Sequence, residues 1–234
     1  MATQRCRVIA HRGASGRARE NTLAAFTLAH DLHADLVELD ARRTGDGVIV
    51  VHHDARLGDG RVIVELSAGD LPSYVPSLAA ALDACRPMGV NVEIKNVPGE
   101  PDYDGDHCHL AAIVAVMRAV RPADELLVSS FDEPTLVRLR AIAPQFATAL
   151  LTYELADPRE TVDRAIANGH VALHPCDATV DAALVARAHD GGLMVNVWTV
   201  DDPRRMRELI AFGVDGICTN VPDVARAIVD AVRE

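Results

Sequence analysis

Short aliphatic runs recur along the chain, and each is followed by a longer stretch whose apolar residues return every three or four positions. The runs at 7–11, 35–40, 90–95, 126–131, 148–152, 171–174, 194–199 and 216–219 read as strands. The stretches at 22–33, 77–86, 110–120, 134–142, 158–168, 181–189, 202–212 and 222–232 carry helical spacing. Eight strands, each followed by a helix, predict a parallel sheet closed as a TIM (β/α)8 barrel; an open doubly wound sheet is the alternative. One segment breaks the rhythm. VIVVHHD at 48–54 follows the second strand across the turn RTGDG and reads as a short β-hairpin excursion before the next helix. No composition shift, repeat or low-complexity tract divides the 234 residues, so a single domain over 1–234 is expected.

The same pattern sorts side chains between the two faces of each strand. In LVELDA, Val37 and Leu39 turn outward to the helices, leaving Glu38 and Asp40 inside. In VNVEIK the inner set is Asn91, Glu93 and Lys95, and in VNVWT it is Asn196 and Trp198. These groups gather near the C-terminal strand ends, where TIM-barrel enzymes keep their active sites. Three carboxylates converging there repel one another unless a hard divalent cation neutralises them. Singly, Glu38 and Asp40 read equally well as surface acids and Glu93 as a partner of Lys95; together they favour a metal.

Of the ten histidines, His11 ends the first strand and His53 ends the hairpin strand, the two positions that can stand beside such a metal. The others have plainer readings: His52 as structural and turned away from His53, His174 as a packed core residue, and His107 and His109 as a solvated helix start rather than a zinc site.

Charge and cysteine usage narrow the partners. The chain has 34 acidic and 23 basic residues, a net charge of -11, which repels a nucleic-acid backbone yet leaves room for a local phosphate pocket. No apolar stretch matches a signal peptide or a transmembrane span, so a cytoplasmic chain without an integral membrane segment is expected. Five scattered cysteines without CxxC spacing point to inert thiols rather than a disulfide framework or structural zinc.

Taken in order, HRG, ENT, ELD, VVHHD, VEIK, SSFD, VWTVDD and GVDGICTNVPD resemble the motifs of the glycerophosphodiester phosphodiesterase family, from about Val8 to Asp223. The resemblance implies a TIM barrel that hydrolyses glycerophosphodiesters to glycerol 3-phosphate and an alcohol with one divalent cation, Mg2+ or Ca2+. By motif it implies catalytic roles for His11 and His53, and metal ligation by Glu38, Asp40 and Glu93. It further implies phosphate contacts from Arg12 and Lys95, a pocket-lining Trp198 and a supporting Glu20. Trp198 reads equally as barrel core.

The chain also departs from the family pattern. Arg19 stands where a proline often precedes ENT, ARLGDG replaces a Pro-Thr pair after the His-Asp motif, and His52 takes a position that is often aromatic or aliphatic. The stretch leading to VEIK is short, so the insertion that helps cover the pocket in many members is reduced, which leaves head-group selection open. The implied partner is a small-molecule glycerophosphodiester; a homodimer is compatible with the pattern. Two other functions stay in view: a phospholipase D-like enzyme acting on lysophospholipids, and a non-catalytic barrel that binds phosphodiesters. The second is disfavoured because both histidines and all three acids are present.

Overall fold

Six of the helices start on a side chain that accepts backbone N–H groups otherwise left without a partner. Thr22 accepts from Ala25, Ser77 from Ala80, Asp132 from Thr135, Asp157 from Arg159 and Glu160, Asp181 from Leu184, and Asp202 from Arg204. These caps mark where each loop at the top of the molecule hands over to a helix. The structure is a computed structural model that describes residues 5–154 and 157–232.

In chain order the elements are β1 (Arg7–His11), α1 (Leu23–Asp31), β2 (Leu36–Arg43), β3 (Ile49–Val51), α2 (Leu78–Ala84) and β4 (Gly89–Ile94). They continue with α3 (Leu110–Val120), β5 (Leu126–Ser130), α4 (Glu133–Ile142), β6 (Ala147–Thr152), α5 (Pro158–Ala167) and β7 (Ala172–Pro175). The last are α6 (Ala182–Asp190), β8 (Met194–Val197), α7 (Pro203–Phe212), β9 (Gly216–Thr219) and α8 (Pro222–Ala231). All strands except β3 pair in parallel, and β1 bonds to both β2 and β9, which closes an eight-stranded ring. This is the TIM barrel that the pattern predicts. β3 lies outside the ring, antiparallel to the end of β2, with Ala41 opposite Val51 and Arg43 opposite Ile49.

Strand alternation sorts the core as expected. Val37, Leu39, Val90, Val92, Ile94, Val195 and Val197 join the helix residues Phe26, Leu82, Leu110 and Leu136 in one apolar layer around the ring. Inside the ring a small cluster of Ile9, Leu36 and Cys218 packs against Trp198. A satellite cluster of Val50, Leu57 and Ile63 supports the excursion between β3 and α2.

The structure corrects several boundaries. β2 runs on to Arg43 because its end gains β3 as a partner. β3 stops at Val51, so His52 and His53 lie beyond it. β4, β5 and β8 end at Ile94, Ser130 and Val197, leaving Lys95, Phe131 and Trp198 just past the paired strands. At the top of a barrel the strands diverge into loops, so the last predicted residue loses its ladder partner. The DHCH segment is also less solvated than expected: His109 is buried, with Nδ1 2.9 Å from Asp104 Oδ2, and His107 Nδ1 lies 3.2 Å from Thr135 Oγ1. Cys6, Cys85 and Cys218 are buried free thiols, whereas Cys108 is exposed. Among the described residues, no helix is long and apolar enough to cross a membrane.

Candidate active site

The turn after β1 is set by backbone geometry. Arg12 adopts a left-handed φ of 55°, and Gly13 follows at 81°. A Cβ on Gly13 would lie 2.7 Å from Ala25, so only glycine lets α1 approach this closely. In that conformation the Arg12 N–H donates to Glu38 Oε2 at 2.9 Å, tying the end of β1 to β2. Asn21 also takes a positive φ and does not cap α1; its Nδ2 donates to Asp40 Oδ2 at 2.7 Å.

Glu38 and Asp40 rise from β2 and Glu93 from β4, where Asp40 lies opposite Glu93 in the register. All three are buried, and one oxygen from each lies within 4.8 Å of the others. Among the described residues this is the one group of acids, histidines or cysteines close enough to hold a metal ion. Two cations flank it. Lys95 Nζ lies 2.6 Å from Glu93 Oε1 and 3.1 Å from Asp40 Oδ1, and Arg12 Nε lies 3.3 Å from Asp40 Oδ2. Lys95 thus serves Glu93 Oε1 and Asp40 Oδ1, whereas Glu38 Oε1 is buried with no donor beside it.

Burial and the neighbouring Asp40 push the Glu38 carboxyl up to about 8. Burial likewise pushes Glu93 up to about 7, although Lys95 opposes it. Burial acts the same way on Asp40, but Lys95 and Arg12 outweigh it and hold this carboxyl well below its usual value. Lys95 and Arg12 therefore do not fully compensate the cluster. Three oxygen ligands with a shortfall of positive charge and unpaired lone pairs fit a hard divalent cation.

Both histidines line the cavity with one ring nitrogen held and the other free. Asn220 Nδ2 donates to Asp201 Oδ2 at 2.7 Å, so its Oδ1 must accept; it lies 2.8 Å from His11 Nδ1. The proton of a neutral His11 therefore sits on Nδ1, and Nε2, 4.0 Å from Glu38 Oε2, is open. His53 Nδ1 lies 2.7 Å from Asp54 Oδ1, which fixes the same tautomer there. Burial first, and then the nearby Arg12 or Lys95, lower the pKa of both rings.

A cavity of about 400 Å³ opens above the cluster. His11, Arg12, Glu38, His53, Glu93, Lys95 and Trp198 all line it; Asp40 lies buried beneath, and Glu20 falls outside the lining. Glu20 instead grips Arg12 Nη1 at 3.0 and 3.1 Å. The opposite wall is apolar: Trp198 packs edge-on to Phe131 with centroids 5.4 Å apart and lies 5.8 Å from Tyr153, while its Nε1 donates to His174 O. His174 is packed as expected, and burial pushes its pKa down to about 3.

Three contributors escaped the sequence reading. Phe131 and Tyr153 build the apolar wall from positions just past β5 and β6. Arg42, buried in β2, donates from Nε to His53 O at 2.8 Å while Nη1 binds both oxygens of Asp102, so it fastens His53 to the loop after β4.

The model of the glycerophosphoryl diester phosphodiesterase family matches residues 11–224. The chain belongs to that family. Family membership agrees with the ordered motifs and brings with it the enzyme class, a phosphoric diester hydrolase. The glycerophosphodiester phosphodiesterase of Caldanaerobacter subterraneus subsp. tengcongensis is 31% identical over 97% of this chain and 98% of its own length. That of Bacillus subtilis is 28% identical over 96% of this chain and 86% of its own length. An Oleispira antarctica phosphodiesterase solved in complex with the product sn-glycerol-3-phosphate superposes with a TM-score of 0.87 at 28% identity, covering 97% of each chain.

Proposed function

We propose that the protein hydrolyses small glycerophosphodiesters to glycerol 3-phosphate and an alcohol, with Glu38, Asp40 and Glu93 holding one divalent cation, Mg2+ or Ca2+. The observation that carries this reading is the convergence of a buried acid trio, two histidines with open Nε2 atoms and two cations on one cavity. The barrel over residues 1–234 is read as one domain carrying the whole activity. When bound, the cation supplies Lewis-acid charge to the phosphoryl oxygens.

Arg12 and Lys95 contribute the remaining positive charge at the rim, where a phosphodiester anion needs neutralising before a nucleophile can approach. Arg12 reaches that place because its backbone is pinned to Glu38 and its side chain is braced by Glu20. His11 and His53 divide proton transfer between them: one ring, neutral, accepts at Nε2 the proton of the attacking hydroxyl or water, and the other, as the imidazolium, gives its Nε2 proton to the departing alkoxide. Asn220 and Asp54 accept from Nδ1 of each ring in either charge state and so leave Nε2 for the transfer. Trp198 and Phe131 shield the cavity and offer an apolar face to the carbon skeleton of the substrate.

Release of glycerol 3-phosphate from glycerophosphocholine and glycerophosphoinositol, and of lysophosphatidate and choline from lysophosphatidylcholine, tests the reading. The panel is run with Mg2+ or Ca2+, with a chelator, and with His11→Ala and His53→Ala. The expected result is cleavage of the two glycerophosphodiesters, abolished by chelator and reduced on the order of 10²–10⁴-fold by either substitution with folding retained. Cleavage of the lysolipid alone would favour the phospholipase D-like function, and no cleavage of any member would favour the binding barrel.

A further inference from the structure

Three departures from the family pattern, Arg19, His52 and the ARLGDG segment, converge in space. They line a second cavity of about 210 Å³ beside the first, together with Glu20, Asp54, Arg56 and Tyr74. The partition between the two cavities consists of two contacts. Arg12 and His53 line the first cavity, and their partners Glu20 and Asp54 line the second.

The charges on the second cavity are unequal in their commitments. Glu20 is spent on Arg12 and Asp54 on His53. Among the described residues, Arg19 and Arg56 have no carboxylate partner: Arg19 lies 3.5 Å over the Tyr74 ring, and Arg56 donates only to the Gly60 carbonyl at 3.2 Å. Stacking on Tyr74 holds the Arg19 guanidinium in place without neutralising it. The backbone beneath is firm, because the excursion packs Leu57 and Ile63 on Val50, with Val75 against them. The result is two exposed arginines without counter-ions and a histidine lining one cleft, the arrangement that recognises an anionic oxygen group.

We propose that this cleft is a subsite for the leaving alcohol, selecting glycerophosphodiesters whose head group carries an additional phosphate. The proposal rests on the phosphodiesterase reading. A phosphodiester held near Arg12 and Lys95 has two ester arms. One faces the wall of Phe131, Tyr153 and Trp198, and the other passes the His53–Asp54 pair toward Arg19 and Arg56.

Two glycerophosphodiesters that differ by one phosphate give the test: sn-glycero-3-phosphoinositol and its inositol 4-phosphate counterpart. Wild type is expected to show about tenfold higher kcat/KM on the phosphorylated substrate, and the ratio is expected to approach one in the Arg19→Ala/Arg56→Ala double variant. A wild-type ratio of one or less, or a ratio unchanged in the double variant, would overturn the subsite. Titration of the protein with myo-inositol 4-phosphate in the presence of chelator separates this from the catalytic reading. Binding weakened about tenfold in the double variant supports the cleft even if neither diester is cleaved. Equal or undetectable binding overturns it whatever the turnover.

Discussion

Above β1, β2 and β4 the rim of the barrel presents Arg12, Glu38, Glu93 and Lys95, whereas above β5, β6 and β8 it presents Phe131, Leu151, Tyr153 and Trp198. Both sides face one cavity, yet one is built almost entirely of ionisable groups and the other almost entirely of apolar ones. The contrast separates two tasks. The charged side gathers groups that act on a phosphodiester, and the apolar side keeps water away so that those charges interact strongly. Neither side suffices alone, since a charge cluster open to water is screened and an apolar wall has no chemistry.

Three changes probe that division. Glu93→Gln, on the charged side, is expected to lower kcat/KM on the order of 10³-fold while circular dichroism stays unchanged, through loss of a cation ligand. Retained activity would make the acids structural. Phe131→Ala, on the apolar side, is expected to raise KM about tenfold and leave kcat within a few fold, since it removes burial worth about 1.5 kcal/mol. A fall in kcat at unchanged KM would assign the wall to the chemistry instead.

The smallest effect is on stability. Glu38 at about 8 and Glu93 at about 7 stand above their unfolded values, so folding favours their neutral forms. Their stabilising contribution is complete below the ordinary carboxylate range and is lost as pH rises through 7 to 8. Asp40, held low, acts in the opposite sense: its contribution is complete above the ordinary carboxylate range and is lost only as pH falls into strong acid. The Tm of chelated protein is therefore expected to fall by a few degrees between pH 5 and pH 8, at about 2–4 °C per kcal/mol. Glu38→Gln or added Mg2+ should flatten that slope, and a slope unaffected by either would mean the acids do not carry it.

The two sides also differed in how far the sequence disclosed them. Glu38, Asp40 and Glu93 lie within strands, where strict alternation tells inside from outside, and the eight strands themselves were legible from their aliphatic runs. Of the apolar wall, alternation disclosed Trp198, whereas Phe131 and Tyr153 lie one step beyond strand ends, where alternation lapses and loop geometry decides direction. Asn21 illustrates the limit. Asn21 and Thr22 are both residue types that cap a helix, and the positive φ of Asn21 turns its side chain onto Asp40 and leaves the capping to Thr22. Arg42 was hidden for another reason, because its role depends on Asp102, which is 60 residues away.

The pairing of His11 with Asn220 spans 209 residues. As a chain is synthesised from its N-terminus, both histidines and all three acids emerge within the first 93 positions. The amide that orients His11 arrives only when β9 has been made and has docked beside β1. A growing chain thus carries the acids and histidines long before it carries the partner that orients His11, and the orientation of that ring is coupled to closure of the barrel.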